Sequence, residues 1–549
     1  MLFLLLKNNF FDKFRVIMLE KMKKFEGIIF YIFLFCLIFA LCYAWTSVDP
    51  DFWARLLQGF AVLETGSILY NDPFSYVPRH AWFDHEWGSG VIFAIIQNLF
   101  GYNGQFFLKA FLMFFSLFFV LKTIKIRGLK NTKLYNFLFF CFILYSLDIS
   151  LISGIRCHFF TFLFFSIFLY ILEAVRINNK NKLLYILPLL MVFWANIHGG
   201  CVSGIGLILI YGLGEFFNKK PFMKYIYTFL CTSLMLFINP YGTDYVKFLI
   251  HATTMPRPLI VEWQSIFQKT LLHLIKAKIF FVISITVFLG SLIKQIKFKE
   301  KINYTNILTI LTVGFLAFSH VKHIPFFILT STALLYDDFF FFFNKMILKI
   351  RTILNIKSET FIKKFVTIKE IVVYILVIIE IIALINIHNR VKYSKLLDSY
   401  PVKIVEFMKI NNLKGKILNK FGDGSYLSYK LYPQNLIYMD GRYEEVYNDE
   451  TFLYNWHFYN FIDDENIKWN DIFKVYEEPD YIILDTGDNI YYNIQCLKNY
   501  IPIFSDKEEY LYIRKDLIRK RYLIPKYPDK YYIDNYFDRI IKFNNNIKI

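Results

Sequence analysis

From residue 28 to residue 390 the chain alternates long apolar runs with short charged connections. A bilayer core of ~30 Å takes about 20 apolar helical residues to cross, so runs approaching that length read as candidate spans. Eleven fit: 28 to 45, 106 to 121, 134 to 150, 158 to 175, 183 to 197, 201 to 217, 225 to 238, 277 to 293, 305 to 319, 324 to 341 and 371 to 388. The run 91 to 100 is too short and reads as an interfacial or re-entrant piece. No small-residue processing site follows the first run, which reads as a retained helix.

After residue 390 the pattern changes. "YPVKIVEFMKINN" has helical spacing, "GKILNKF" and "NLIYMD" read as strands around the helical "GSYLSYKLYP", "PDYIILD" reads as a buried strand, and "IPIFSDKEEYLYIRK" as a terminal hairpin. The fold class predicted is a polytopic α-helical membrane protein of about 11 transmembrane helices with a C-terminal soluble α/β domain. Its parts are a cytoplasmic N-terminus (1–27), a membrane domain (28–390) with a large first outer loop (46–105), and an extracytoplasmic α/β domain (391–549) with a frayed end.

Charge orients these parts. Lys21, Lys23 and Lys24, the clusters Lys122 to Lys133, Arg176 to Lys182, Lys219 to Lys224 and Lys294 to Lys301, and the link Lys345 to Lys369 fall on one side of an alternating chain. The positive-inside rule makes that side cytoplasmic, in a multi-pass membrane protein. The net charge of +18, which would point a soluble chain toward nucleic acid, is accounted for by these loops, and nucleic acid drops out as a partner. Six of the seven cysteines lie in or beside apolar runs and Cys496 stands alone in the polar tail, which excludes a disulfide framework or CxxC metal site there.

The opposite connections are poor in lysine and rich in Asp, Glu, His, Asn, Trp and Gly, so the polar residues fit for chemistry gather on the outer face. In "VDPDFWARLLQGFAVLETG", Asp49 before Pro50 reads as a helix cap, Phe52, Leu56, Phe60 and Leu63 as one apolar face, and Gly66 as the stop. This helix is expected to lie along the membrane surface. Asp51, in its first turn, is expected to stay ionised at the positive end of the helix dipole and to serve as a general base. Asp84, His85 and Glu86 in "WFDHEW" are candidates for a divalent ion or a sugar-phosphate, although adjacent side chains diverge. "WANIHGG" sets Asn196 and His198 at an outer span end, "SGIRCHFF" adds Arg156 and His158, "LFINPYG" and "IVEWQS" carry Asn239, Tyr241 and Glu262, and "SHVKHIPFF" brings His320, Lys322 and His323 to an outer turn, where positive charge argues for an anionic ligand.

These ordered segments, with "DPDFWARLLQGFAVLETGSILYNDPFSYV", "YPVKIVEFM" and "YMDGRYEEVY", resemble the GT-C superfamily of membrane glycosyltransferases, of the mannosyltransferase and aminoarabinose-transferase type, over nearly the whole chain. The resemblance implies a helical bundle, a sugar donor on a polyprenyl phosphate, and transfer that inverts the anomeric centre. It places the catalytic acid of the first loop on Asp51, or else Asp49, the second acids on Asp84 and Glu86, and the donor-phosphate partners on Arg156, His198, Lys322 or His323. Asn196 and Glu262 remain acceptor or metal candidates. Arg55 stands where such sequences usually have histidine, and Lys322 where they usually have arginine.

The function expected is therefore transfer of a sugar from a polyprenyl-phosphate donor to a glycan or lipid acceptor of the cell envelope, with membrane lipid as a further partner. No cofactor is required by the residues, and a divalent metal ion is compatible with them. The alternatives are a lipid or solute transporter, for which the apolar midplane is unsuited, and a non-catalytic protein whose aromatic-rich segment 438 to 460 binds envelope polymers.

Overall fold

The computed structural model describes residues 31–353 and 399–518, apart from breaks at 33, 44–47, 78–80, 129–132, 148–149, 152, 256, 258–259, 269–270, 272–273 and 507. The expected N-terminal segment and the span at 371 to 388 lie outside these residues. Among the described ones, five helices are long and apolar enough to cross a membrane: Trp87–Ile126, His158–Asn178, Gly199–Phe217, Ile275–Lys297 and Val321–Met346. Leu34–Tyr43, Asn181–Ile197, Met223–Phe237 and Tyr304–Ser319 are apolar but shorter. The protein is thus a mostly helical membrane protein, and the described residues hold five such helices rather than the eleven full spans expected. Hydropathy counts apolar residues, whereas a span also needs an unbroken helix of sufficient length. Conversely, the runs 91 to 100 and 106 to 121 belong to one 40-residue stretch broken at Gly101 (φ 59°, ψ −154°), a conformation open to glycine. Ile275–Lys297 shows the bundle's logic. It buries Ala277, Phe280, Ser284 and Val287, and turns Val282, Leu289, Ile293 and Ile296 outward, an apolar face suited to lipid.

Helix α1 (Pro50–Thr65) forms as its sequence predicts. The Asp49 carboxylate accepts the Asp51 N–H at 3.0 Å, Pro50 opens the first turn, and Gly66 closes the helix in the left-handed region (φ 67°) while its N–H bonds to Val62 O at 2.9 Å. Its setting differs from the expectation of a helix laid on the membrane surface. Phe52, Trp53 and Leu56 are buried against protein, and only the far end, at Leu63, is exposed. One side packs on α2 (Trp87–Ile126), where a Cβ on Gly59 would stand 2.0 Å from Gly90 O. On the other side Trp53 meets Tyr426 and Tyr429, each at 5.2 Å between ring centroids, and Tyr400 at 5.9 Å. Helix α3 (His158–Asn178) packs on α2 in turn and completes the wall behind α1.

The C-terminal domain opens with α4 (Val402–Ile410) and contains β1 (Gly415–Leu418), α5 (Gly424–Leu431), β2 (Asn435–Ile437), β3 (Tyr481–Asp485), β4 (Tyr500–Asp506) and β5 (Glu509–Arg514). The sheet order is β2-β1-β3-β5-β4, with β1 parallel to β2 and β3, and β5 antiparallel to β3 and β4. The short apolar runs between Gly and Pro form these strands, and α5 is the crossover that two adjacent parallel strands require. The long loop after α1 extends this sheet. Tyr76 N–H donates to Ile437 O at 3.1 Å and Ile437 N–H to Phe74 O at 3.0 Å, so Ser75 pairs parallel to the edge of β2. Tyr400 Oη also donates to Val48 O at 2.9 Å. Chain before and after the helical bundle therefore forms one packed body around α1.

Candidate active site

The first turn of α1 presents Asp49 and Asp51, and the segment leading into α3 presents Arg156. Arg156 Nε lies 3.2 Å from Asp49 Oδ1, and its two terminal nitrogens pair with Asp51 and with Glu262 of the turn Val261–Trp263. The Asp51 side chain is 30 % exposed and that of Glu262 46 %, so the cluster has an open side. Below it, Lys109 is fully buried and its ammonium donates to Leu151 O at 2.6 Å and to Ser153 O, fixing the segment that carries Arg156.

Three carboxylates share one guanidinium. Burial pushes Asp49 up to about 7, against the pull of Arg156 and with help from Asp51 and Glu262. Burial raises Asp51 as well, again opposed by Arg156 and reinforced by Glu262 and Glu86. The dipole of α1 was expected to hold Asp51 ionised, but desolvation and neighbouring carboxylates outweigh it. Burial and the neighbouring carboxylates thus raise the proton affinity of Asp51 above that of an ordinary aspartate, the direction that strengthens a base.

A second cluster surrounds Arg55, which emerges from the buried face of α1. Its guanidinium contacts Asp84 at 2.9 Å, Glu86 at 2.5 Å, and Glu445 of the C-terminal domain through two nitrogens. Glu445 also accepts the Trp82 indole N–H at 2.8 Å and lies 3.3 Å from His85 Nδ1. Burial would raise the Glu445 carboxyl, but Arg55 and His85 bring it down to about 2. Burial would lower the His85 pKa, but Glu445 and Glu86 lift it to about 9. Asp84 rises to about 7, by burial first, with Arg55 opposing.

The other candidates are placed as follows. His198 Nδ1 accepts the Gly200 N–H at 2.9 Å and lies 2.8 Å from Thr161 Oγ1, so its proton sits on Nε2, 3.2 Å from Glu86. Burial lowers its pKa, and it stands as a neutral donor to Glu86. Asn196 donates to Val192 O of its own helix and to Ile238 O at 2.8 Å each and accepts the Trp87 indole N–H at 3.1 Å. The Lys322 ammonium lies 3.1 Å from the centroid of the Trp263 ring, which also carries Arg257 at 4.3 Å. His323 stands beside His320 and Phe326, with centroids 5.8 and 6.1 Å away. Of the predicted residues the structure therefore joins Asp49, Asp51, Arg156 and Glu262 in one cluster and Asp84, Glu86 and His198 in another.

His85, Glu86 and Glu445 offer ligand atoms within 4.8 Å of one another, a grouping that could hold a metal ion. In this arrangement Arg55 pairs with both Glu86 and Glu445, so a cation bound there would compete with the guanidinium for both carboxylates.

Sequence reading missed Glu445 and treated Arg55 only as a departure from a pattern. Arg55 carried a signal: three residues from Phe52 and next to Leu56, it falls on the apolar face of α1, where a charge needs a buried partner. Nothing local announces that this partner lies 390 residues away.

No family model and no curated protein matches the chain. Among solved structures it is similar to the oligosaccharyltransferase of Archaeoglobus fulgidus in the apo form, at TM-score 0.50 and 10% identity, over 88% of this chain and 74% of that one. At that identity the likeness is one of fold alone.

Proposed function

We propose that the protein is a membrane glycosyltransferase that moves a sugar from a polyprenyl-phosphate donor to a glycan or lipid acceptor of the cell envelope, on the outer side of a bacterial cytoplasmic membrane. The observation that carries this reading is Asp51, a partly exposed carboxylate with raised proton affinity, paired with Arg156 at the open side of a GT-C-like bundle. The acceptor hydroxyl attacks the anomeric carbon opposite the lipid phosphate. The new C–O bond forms as the bond to the phosphate oxygen breaks, the proton passes to Asp51, and the polyprenyl phosphate departs with the bonding electrons. Inversion follows from attack opposite the leaving group. Arg156, with Lys322 on a neighbouring turn, supplies the positive charge that a departing phosphate requires, and His323 offers a neutral imidazole beside them.

The test is transfer by the full-length protein in liposomes from radiolabelled polyprenyl-phosphate sugars. Asp51→Asn should lower turnover about 100- to 10,000-fold, the range of a lost general base, without lowering the melting temperature. Undiminished transfer by Asp51→Asn would remove the assignment.

A further inference from the structure

Resting on that reading, we propose that Glu445 is a positioning residue of the transfer site, and that residues 440–445 of the C-terminal domain form a wall of that site. Glu445 is buried, and the partners it meets through hydrogen bonds and ion pairs, Arg55, His85 and Trp82, all lie on α1 or the loop that follows it. Two-nitrogen contact fixes the plane of the Arg55 guanidinium. Arg55 then holds Asp84 and Glu86, and Glu86 receives His198.

Four residues before Glu445, the backbone passes Asp51 itself. A Cβ on Gly441 would stand 2.2 Å from Asp51 Oδ1, and Asp51 has little room to yield because Arg156 holds it. Between these two points Arg442 reaches back to Asp72 of the same loop at 2.8 Å while pairing with Asp440 of its own domain at 2.9 Å. Arg442 and Asp72 thus secure the turn through a pair separate from Glu445. A domain that needed only attachment would have no use for a carboxylate in the Arg55 cluster or for a glycine against Asp51.

The experiment compares the full-length protein with Glu445→Gln and Gly441→Ala, measuring kcat and KM for the donor and following backbone hydrogen exchange in residues 50–60 and 435–450. Glu445→Gln keeps size and an acceptor for Trp82 but loses the charge on Arg55. Each variant should lose about 100-fold in kcat, the penalty of a small misplacement, with KM for the donor little changed and exchange over 435–450 unchanged. Full activity in Glu445→Gln, or a loss that comes with deprotection of 435–450, would show a mere attachment and overturn the proposal. If the wild-type protein transfers no sugar from any polyprenyl-phosphate donor, the functional reading falls. The positioning role is then read from exchange alone: Glu445→Gln should deprotect 50–60 and leave 435–450 intact, and unchanged protection over 50–60 overturns it.

Discussion

Asp49 and Asp51 lie two residues apart and share Arg156, but they do different work. The Asp49 carboxylate caps α1 and is also a charge beside Asp51, whose carboxylate helps burial raise the proton affinity of Asp49. Asn caps a helix about as well as Asp, so Asp49→Asn separates the two roles. The acid limb of the pH–rate profile should rise as Asp51, whose proton affinity burial raises, loses its proton. In Asp49→Asn it should shift to lower pH, because one negative charge beside Asp51 is gone. The stability sign follows from the same shift. Asp49 is raised in the folded state, so its contribution is fully present below the ordinary aspartate pKa of about 3.9 and is lost as pH rises to about 7. Asp49→Asn should therefore gain on the wild type in thermal unfolding between pH 4 and pH 7. An unshifted acid limb would mean that Asp49 acts as a cap alone.

At the scale of elements, α1 is held by contacts to both its neighbours. Trp53→Ala removes an indole packed among Tyr400, Tyr426 and Tyr429 and should cost about 3–5 kcal/mol, seen as a lowered unfolding temperature, whereas the exposed Leu63→Ala should cost little. The caps of α1 and the strands of the C-terminal domain were legible because local chemistry decides them: Asp before Pro and a closing Gly for the helix, short apolar runs between breakers for the strands. The span count was less legible because apolar length does not reveal where a helix stops, as the short helix Met223–Leu234 and the break at Gly101 show. The site was legible in part for the same reason. Asp49, Asp51 and Arg156 sit at element ends that sequence marks, whereas the bond between Arg55 and Glu445 depends on how two distant elements dock.

That docking decides what removing the C-terminal domain does to the whole molecule. As a separate acceptor-binding module it would leave donor turnover intact when deleted. Instead the segment after residue 399 covers Trp53, pairs its β2 edge with Ser75, places Gly441 against Asp51 and supplies the Glu445 carboxylate to Arg55. Its loss would leave Arg55 with Asp84 and Glu86 alone and expose an aromatic surface on α1. Breaking one partner from a buried ion pair costs about 3–5 kcal/mol, so the remaining bundle should also be less stable. Deleting residues 395–549 should therefore abolish hydrolysis of the donor by water as well as transfer to an acceptor. The milder Arg442→Met should weaken docking, strand Asp72 and Asp440 without their cation, and lower the unfolding temperature of the whole protein in one transition. A deletion protein that still turns over donor at the wild-type rate would place the complete catalytic apparatus in the helical bundle, and the C-terminal domain outside it.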